Sequence, residues 1–379
     1  MNHRCIVCGE RLGEEDKLML CPQMPASAQD IPAADALEAE HGMDLQLCQC
    51  PGCGLIQFDC EPVSYYRDVI RAGGYSTTMA ALRRKQYRHF IGLCQLEGKK
   101  IIEIGCGRGE FLKLLAEFPV QAYGIEHKKN LAEEAQAAGL NVRQDFTENA
   151  EQVLEGAPFD AFLSFNFLEH QPNPNTMLRC IYNNLAEDGV GLVTVPSLDY
   201  IVGNDSFYEL LRDHIANYSE ETLRFLLNRN GFIVLESTTV NRDTLSMIVK
   251  KRPKLNISGL QAQYKRLTVQ MCAFVDARVS TGRKIAVWGA SHQGFTTIST
   301  TGVGSKIEYI IDSAPFKQGR YAPASHVQIV SPEHFLAHPV DTILIIAPGY
   351  TDEIAGIIRD KYGTGVEIAA IRTSEIEIL

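Results

Sequence analysis

Between Lys99 and Lys129 the chain reads KKIIEIGCGRGEFLKLLAEFPVQAYGIEHKK, and no other stretch narrows the choice of fold as much. Ile101 to Ile104 is apolar but for Glu103 and has the length of a buried strand. A glycine-rich turn follows, Gly105-Cys106-Gly107-Arg108-Gly109. Phe111, Leu112, Leu114, Leu115 and Phe118 then fall on one helical stripe. A second strand, Ala122 to Ile125, ends on Glu126. Strand, glycine turn, helix, strand and acid open a nucleotide-binding βαβ unit, with the acid about 20 residues beyond the first glycine. The same local pattern fits a Rossmann unit without a ligand or one that takes NAD.

The glycine spacing is not that of the dinucleotide fingerprint. Glu103-x-Gly105-x-Gly107-x-Gly109 has an acid before the turn and no third glycine at the pyrophosphate spacing. It resembles the first motif of class I S-adenosylmethionine methyltransferases. That resemblance implies a cofactor held by Glu103 and the turn (Gly105, Cys106, Gly107, Gly109), its methionine part on the turn and its ribose at Glu126, with His127 beside it. Glycine permits such close approach because it carries no side chain, and a carboxylate accepts from both ribose hydroxyls.

The chain continues in the same alternation. A helix from Asn130 to Ala138 ends at Gly139, and Asn141 to Arg143 is a short strand. In the methyltransferase pattern the following Asp145 and Phe146 meet the adenine. Phe159 to Asn166 is a fourth strand, with Asn166 and Phe167-Leu168-Glu169-His170 at its carboxyl end, the edge where open α/β sheets bind ligands. A helix from Leu178 to Leu185 and a strand from Gly189 to Val195 complete a doubly wound α/β sheet. His170 is a candidate for the site, either as a reacting group or as a residue that packs the loop.

Before this sheet come two cysteine pairs, Cys5-x-x-Cys8 and Cys50-x-x-Cys53, each followed by glycine. Two such knuckles form a tetrahedral structural zinc site. The 41 residues between them exceed the gap of common zinc ribbons, so an excursion separates the pairs. Cys48 and Cys60 lie close enough in sequence to substitute for one of the four. With eleven cysteines and no signal peptide or bilayer-length apolar run, metal ligands and free thiols are expected, not disulfides, in a cytoplasmic protein. A net charge of −10 argues against a nucleic-acid surface. Tyr65 to Met79 joins the cysteine segment to a helix, Met79 to Cys94, and Tyr75 is read as lining the site.

After the sheet, a helix from Ser258 to Arg278 leads into the strand Lys284 to Trp288. The turn Gly289-Ala290-Ser291-His292-Gln293 then opens another helix, and strands follow at Ile307–Ile311 and Thr342–Ile346. This is a second Rossmann-like unit without the dinucleotide fingerprint. Its helix start is a candidate anion site, with Lys317, Arg320 and Tyr321 on the opposite loop.

Taken together, the cysteine knuckles, EIGCGRG, FLEHQPNP and the tract GASHQGFTT…IDSAPFKQGRYAP resemble, over nearly the whole chain, the S-adenosylmethionine-dependent sugar C-methyltransferases. The resemblance implies three parts: a zinc module (1–64), a class I methyltransferase domain (65–255) and a C-terminal Rossmann-like substrate domain (256–379). It also implies a nucleotide-linked keto-sugar as acceptor and a monomer or homodimer that binds neither nucleic acid nor membrane. A Tyr-x-Glu-His motif carries proton transfer in that family. Here His214 matches the histidine, Asp213 stands for the glutamate and Leu211 for the tyrosine; Gln293 stands where lysine is common. Methylation of a carbon next to a ketone needs a base for the α-proton and donors for the enolate oxygen. His214 is read as that base, oriented by Asp213, with Tyr75 on the enolate side. Methylation of an oxygen or nitrogen of another small molecule, and a non-catalytic S-adenosylmethionine-binding module, are the competing readings.

Overall fold

The computed structural model describes residues 3–68 and 76–379. The chain divides into two units, Met1–Pro253 and Lys254–Leu379.

In the first unit, the excursion between the cysteine pairs is partly ordered into sheet. β1 (Lys17–Met24) and β2 (Met43–Gln49) form an antiparallel pair, and β3 (Ile56–Phe58) adds to β2. The next helix, α1 (Thr77–Cys94), starts where Ser76 Oγ accepts from the Met79 amide, an N-cap that satisfies one otherwise orphaned donor. Ala80, Arg83, Tyr87, Phe90 and Ile91 are its buried residues, so an arginine sits on an otherwise apolar stripe.

The alternation read from the sequence follows: β4 (Lys100–Ile104), α2 (Glu110–Leu115), β5 (Gln121–Glu126), α3 (Lys129–Ala137), β6 (Val142–Gln144), β7 (Phe159–Phe165), α4 (Pro174–Asn184) and β8 (Leu185–Pro196). Then come α5 (Leu198–Gly203), a two-residue strand β9 (Ala216–Asn217), α6 (Glu220–Arg229) and the hairpin β10 (Phe232–Val240) and β11 (Thr244–Lys251). The seven-stranded sheet runs β6-β5-β4-β7-β8-β11-β10, with β11 antiparallel to both neighbours. That single antiparallel strand next to the edge of a parallel sheet is the class I methyltransferase topology. Strand order reverses between β4 and β7, which makes their carboxyl ends the crevice of the fold.

β9 is not part of this sheet. It pairs with β3, Ile56 opposite Asn217 and Gln57 opposite Ala216. The cysteine segment and the segment after His214 are therefore one sheet, and Cys5, Val7 and Cys50 share a core with Phe162, Tyr218 and Leu223.

The second unit comprises α7 (Ser258–Val279), β12 (Ile285–Trp288), α8 (His292–Thr300), β13 (Ile310–Ile311), β14 (Ile329–Val330), α9 (His334–Ala337), β15 (Thr342–Ile345), α10 (Thr351–Tyr362), β16 (Glu367–Ile371) and β17 (Ile376–Ile378). Its sheet, β14-β13-β12-β15-β16-β17, is parallel except for β17. No described helix is long and apolar enough to cross a membrane.

The glycines of the first turn divide by function. Gly109 has a positive φ of 79° at the start of α2, and a Cβ there would lie 2.3 Å from Leu140 Cδ1. It is needed for backbone conformation and for packing against Leu140. Gly109→Ala is expected to cost about 1–3 kcal/mol of stability in chemical denaturation, and less in a Leu140→Ala background, because the double variant retains only the backbone strain. Equal costs in both backgrounds would refute the packing account.

Candidate active site

The carboxyl ends of β4, β5 and β7 open onto a cavity of ≈ 690 Å³, within the range of roughly 300–1,000 Å³ usual for small-molecule sites. Gly105 and Gly107 form part of its wall. Glu126, at the end of β5, is 6% exposed and faces the same space. Its Oε2 accepts from the Gly107 amide at 2.8 Å and its Oε1 from the Lys128 amide at 2.9 Å. The two amides fix the carboxylate and leave a further lone pair on each oxygen; burial raises its pKa from the usual carboxylate value. Asn166, just past β7, holds a left-handed backbone with φ 46°, and its side-chain oxygen accepts from Thr194 Oγ1 at 2.9 Å. A non-glycine residue in that conformation on the cavity wall is a local strain of the kind that gathers at functional sites.

Asp145, Phe146 and His127 line an adjoining cleft of ≈ 290 Å³. His127 Nδ1 pairs with Asp68 at 2.7 Å, and its ring meets the edge of Phe146 at 5.5 Å between centroids. Asp145 Oδ1 accepts from Gln152 Nε2 and from the Phe146 amide. Three predicted cofactor residues line neither space: Gly109 packs on Leu140, Glu103 is fully buried in β4, and Cys106 is buried with its thiol against Gly124.

On the cavity wall His170, buried, and His214, half-buried, lie edge to face with ring centroids 4.8 Å apart. His170 Nδ1 donates to the main-chain carbonyl of Asp213 at 2.9 Å, so its Nε2 is left as an acceptor. Burial lowers both imidazole pKa values, that of His214 to about 3 through burial and the neighbouring His170. Both rings are therefore neutral at pH 7.

The expected link between Asp213 and His214 is corrected. The Asp213 carboxylate accepts from Tyr65 Oη, at 2.9 Å to Oδ2, and from the Ala28 amide at 3.0 Å. Its described hydrogen bonds bypass His214, and Asp213 orients His170 instead, through the backbone. Ala28 belongs to the excursion between the cysteine pairs, which thus supplies a wall of the site, as does Gln29. Tyr75 lies outside the described residues.

Arg83 is a cavity residue that the sequence reading missed. It is 3% exposed, its guanidinium lies 3.5 Å from the ring centroid of Phe165 and 4.6 Å from that of Phe111, and its Nη1 donates to Gln86 at 2.8 Å. Its signal in the sequence is a charge on the apolar stripe of α1.

Residues 79–237 match the model of a family described as "Methyltransferase domain", and residues 254–369 the "C-methyltransferase C-terminal domain". C-methyltransferase NovU of Streptomyces niveus is 25% identical over 293 residues, 70% of this chain and 69% of that protein. The chain belongs to the S-adenosylmethionine-dependent C-methyltransferases. A ubiquinone biosynthesis O-methyltransferase of Azoarcus sp. is 31% identical over 93 residues, 23% of this chain and 40% of that protein. Among solved structures, magnesium protoporphyrin IX methyltransferase of Synechocystis PCC 6803 with bound SAH aligns at a TM-score of 0.37 and 15% identity, over 49% of this chain and 92% of that one.

Two further clusters belong to the description of this C-methyltransferase. Cys5, Cys8, Cys50 and Cys53 converge, with Cys5–Cys53 Sγ atoms 3.5 Å apart and Cys8–Cys50 3.3 Å apart. A zinc ion with bonds of about 2.3 Å would set sulfur–sulfur edges of about 3.8 Å, so a small expansion fits the group. The knuckles repeat one backbone pattern. Gly9 and Gly54 both have positive φ, and the Cys5 and Cys50 amides donate to Glu10 and Leu55. Cys48 and Cys60 are not in the cluster. Separately, ligating atoms of Glu169, His170 and His214 lie within 4.8 Å of one another, a donor set that also suits a divalent cation.

In the C-terminal unit a carboxylate lies against the turn that precedes α8. Asp312 Oδ2 accepts from the Ala290 amide at 3.0 Å and from Lys317 Nζ at 2.9 Å. Lys317 is therefore paired, and the turn already holds a carboxylate. Gly289 has φ 123°, and a Cβ on it would lie 2.7 Å from the Ile346 carbonyl oxygen, so backbone packing requires it. Ser291 caps α8, accepting from the Gly294 amide. His292, Gln293, Arg320 and Tyr321 are exposed.

The two neutral histidines carry a sign for pH dependence. An unfolded imidazole takes a proton below about 6.5, whereas the folded pair resists until much lower pH. The stability they contribute is whole above about 6.5 and is lost as pH falls toward the folded values. Urea unfolding at pH 7.5 and pH 5 should show this acid loss, and His214→Gln should make it shallower. An identical pH slope in the variant would sink the assignment of a neutral His214.

Proposed function

We propose that this chain methylates a carbon next to a ketone in a nucleotide-linked deoxysugar, with His214 as the base. The observation that carries the reading is the pair of neutral imidazoles on the wall of the cavity that also contains the glycine turn and Glu126. When bound, S-adenosylmethionine supplies an electrophilic methyl group whose carrier leaves as a neutral thioether. The backbone of Gly105 and Gly107 would bear its amino-acid part, Glu126 would accept from its ribose hydroxyls, and Asp145 and Phe146 would meet its base. Arg83, a buried cation beside the turn and stacked on Phe111 and Phe165, would hold its carboxylate. His214 removes the proton α to the ketone, and Tyr75 donates to the oxygen where charge develops. His170 holds His214 in place by edge-to-face packing.

We assign recognition of the nucleotide to the C-terminal unit, through the exposed His292, Gln293, Arg320 and Tyr321 beside the Gly289–Ser291 turn. Lys317 supports that loop by its pair with Asp312. Cys5, Cys8, Cys50 and Cys53 are assigned to a structural zinc ion, for which the knuckle geometry is the support.

Transfer from methyl-labelled S-adenosylmethionine to a set of nucleotide-linked keto-deoxysugars tests the reaction. NMR of the product should show a new carbon–carbon bond, and an O-methyl signal would overturn the assignment to carbon. His214→Gln should retain binding of S-adenosylhomocysteine while losing about 10²-fold or more in kcat and losing α-proton exchange with deuterated solvent. Near-normal exchange in the variant would remove His214 from the role.

The cofactor end has its own test. Arg83→Met should weaken S-adenosylhomocysteine about 10-fold or more, the scale of a lost hydrogen bond to a charged group. It should leave 5′-methylthioadenosine, which lacks the amino-acid part, within about twofold by calorimetry. Equal weakening of both ligands would show that Arg83 does not meet the carboxylate.

A further inference from the structure

Tyr218 is fully buried, and its hydroxyl has no hydrogen-bond partner among the described residues. A buried phenol normally finds one, because burial without a partner forfeits the bonds it made to water. Its surroundings name the candidates. The ring packs in the same core as Cys5 and Cys50. The hydroxyl lies within electrostatic reach of Glu169, Cys5 and Cys53, which together with burial keep it protonated and so a donor.

The backbone around it ties the cysteine site to the base. Tyr218 follows β9, and β9 pairs with β3, which begins three residues after Cys53. From β3, the buried Gln57 side chain reaches the other knuckle: it accepts from the Ile6 amide at 3.0 Å and donates to the Arg4 carbonyl at 3.1 Å. On the far side, Asn175 of α4 donates to the Ile6 and Val7 carbonyls. Upstream, the Phe58 amide bonds the Ile215 carbonyl, one residue beyond His214.

We propose that Tyr218 donates its hydroxyl hydrogen to a cysteine thiolate of the filled metal site, and that this bond, with the β3–β9 pairing, positions the segment carrying Asp213 and His214. The proposal rests on the reading of the four cysteines as a metal site. It makes the metal a positioning element for the base. Groups that hydrogen-bond the ligands of a metal commonly change its affinity 10–100-fold when removed.

Tyr218→Phe tests this in the full chain, since it removes one oxygen and keeps the ring. With cobalt(II) in place of zinc, loss of the donor leaves the thiolate richer in electrons. The sulfur-to-cobalt charge-transfer band should therefore move to lower energy. Zinc should pass to a chelator about 10-fold faster or more. Binding of S-adenosylhomocysteine should stay within about twofold while kcat falls, a split that general loss of folding would not produce. A variant whose cobalt band and zinc-release rate match the parent overturns the proposal, and would point to Glu169 as the acceptor. A changed band with unchanged kcat overturns the link to His214. Protein that takes up neither zinc nor cobalt refutes the metal reading itself, and this inference with it.

Discussion

The carboxylate of Asp213 is where the first unit is tied together. It is 3% exposed, and a carboxylate so placed survives only with several donors. Those donors come from far apart in the sequence: the Ala28 amide from the excursion between the cysteine pairs, and the Tyr65 hydroxyl from the stretch before α1. Tyr65 is itself held, its oxygen 2.5 Å from Ser27 Oγ. Asp213 also turns its main-chain carbonyl to His170. One position thus fixes the wall of the cavity, the tautomer of one histidine and, by ring packing, the place of the other. Truncating it would leave the Ala28 amide without its carboxylate acceptor and the Tyr65 hydroxyl with Ser27 alone, and would release both from the wall of the site.

That dependence explains which parts of the chain were legible as sequence. The βα turn was readable because its physics is local: Gly105, Gly107 and Gly109 all have positive φ, and Glu126 reaches back only 19 residues to bond Gly107. The cysteine knuckles were readable for the same reason, each being a turn of a few residues. The doubly wound order followed from alternation alone. The hairpin of β10 and β11 did not, because β10 shows no clean two-residue alternation of buried and exposed positions. Nor did β9, whose two residues carry no pattern of their own. Ser27 and Ala28 gave no signal, since their role depends on where a long excursion comes to rest.

The departures are as informative as the agreements. Gly289 and Lys317 were read as parts of an anion site, and residue type alone supports that reading. What the residue types did not show is a third residue, Asp312, whose carboxylate reaches both the turn amide and the lysine. A turn with a free amide and a turn whose amide is already bonded look alike in sequence. Similarly Gly109 is a glycine for the sake of Leu140, while Gly105 and Gly107 border the cavity. A run of glycines in one motif mixes backbone, packing and ligand requirements, and only the neighbours separate them.

In the proposed function, Arg83 and His214 meet two opposite electrostatic demands in one cavity. A cofactor with a carboxylate needs a fixed cation, and arginine remains charged even when 3% exposed because its pKa lies far above neutrality. A base needs the reverse, a group that burial keeps uncharged until it reacts, and an imidazole beside a second imidazole is held in that state. Lysine in the first place would risk losing its charge. A carboxylate in the second would add a negative charge beside that of Glu169, whose ligating oxygen lies within 4.8 Å of the imidazoles. On that reading a permanent cation suits the buried position 83 and a neutral imidazole the half-buried position 214 beside a second imidazole.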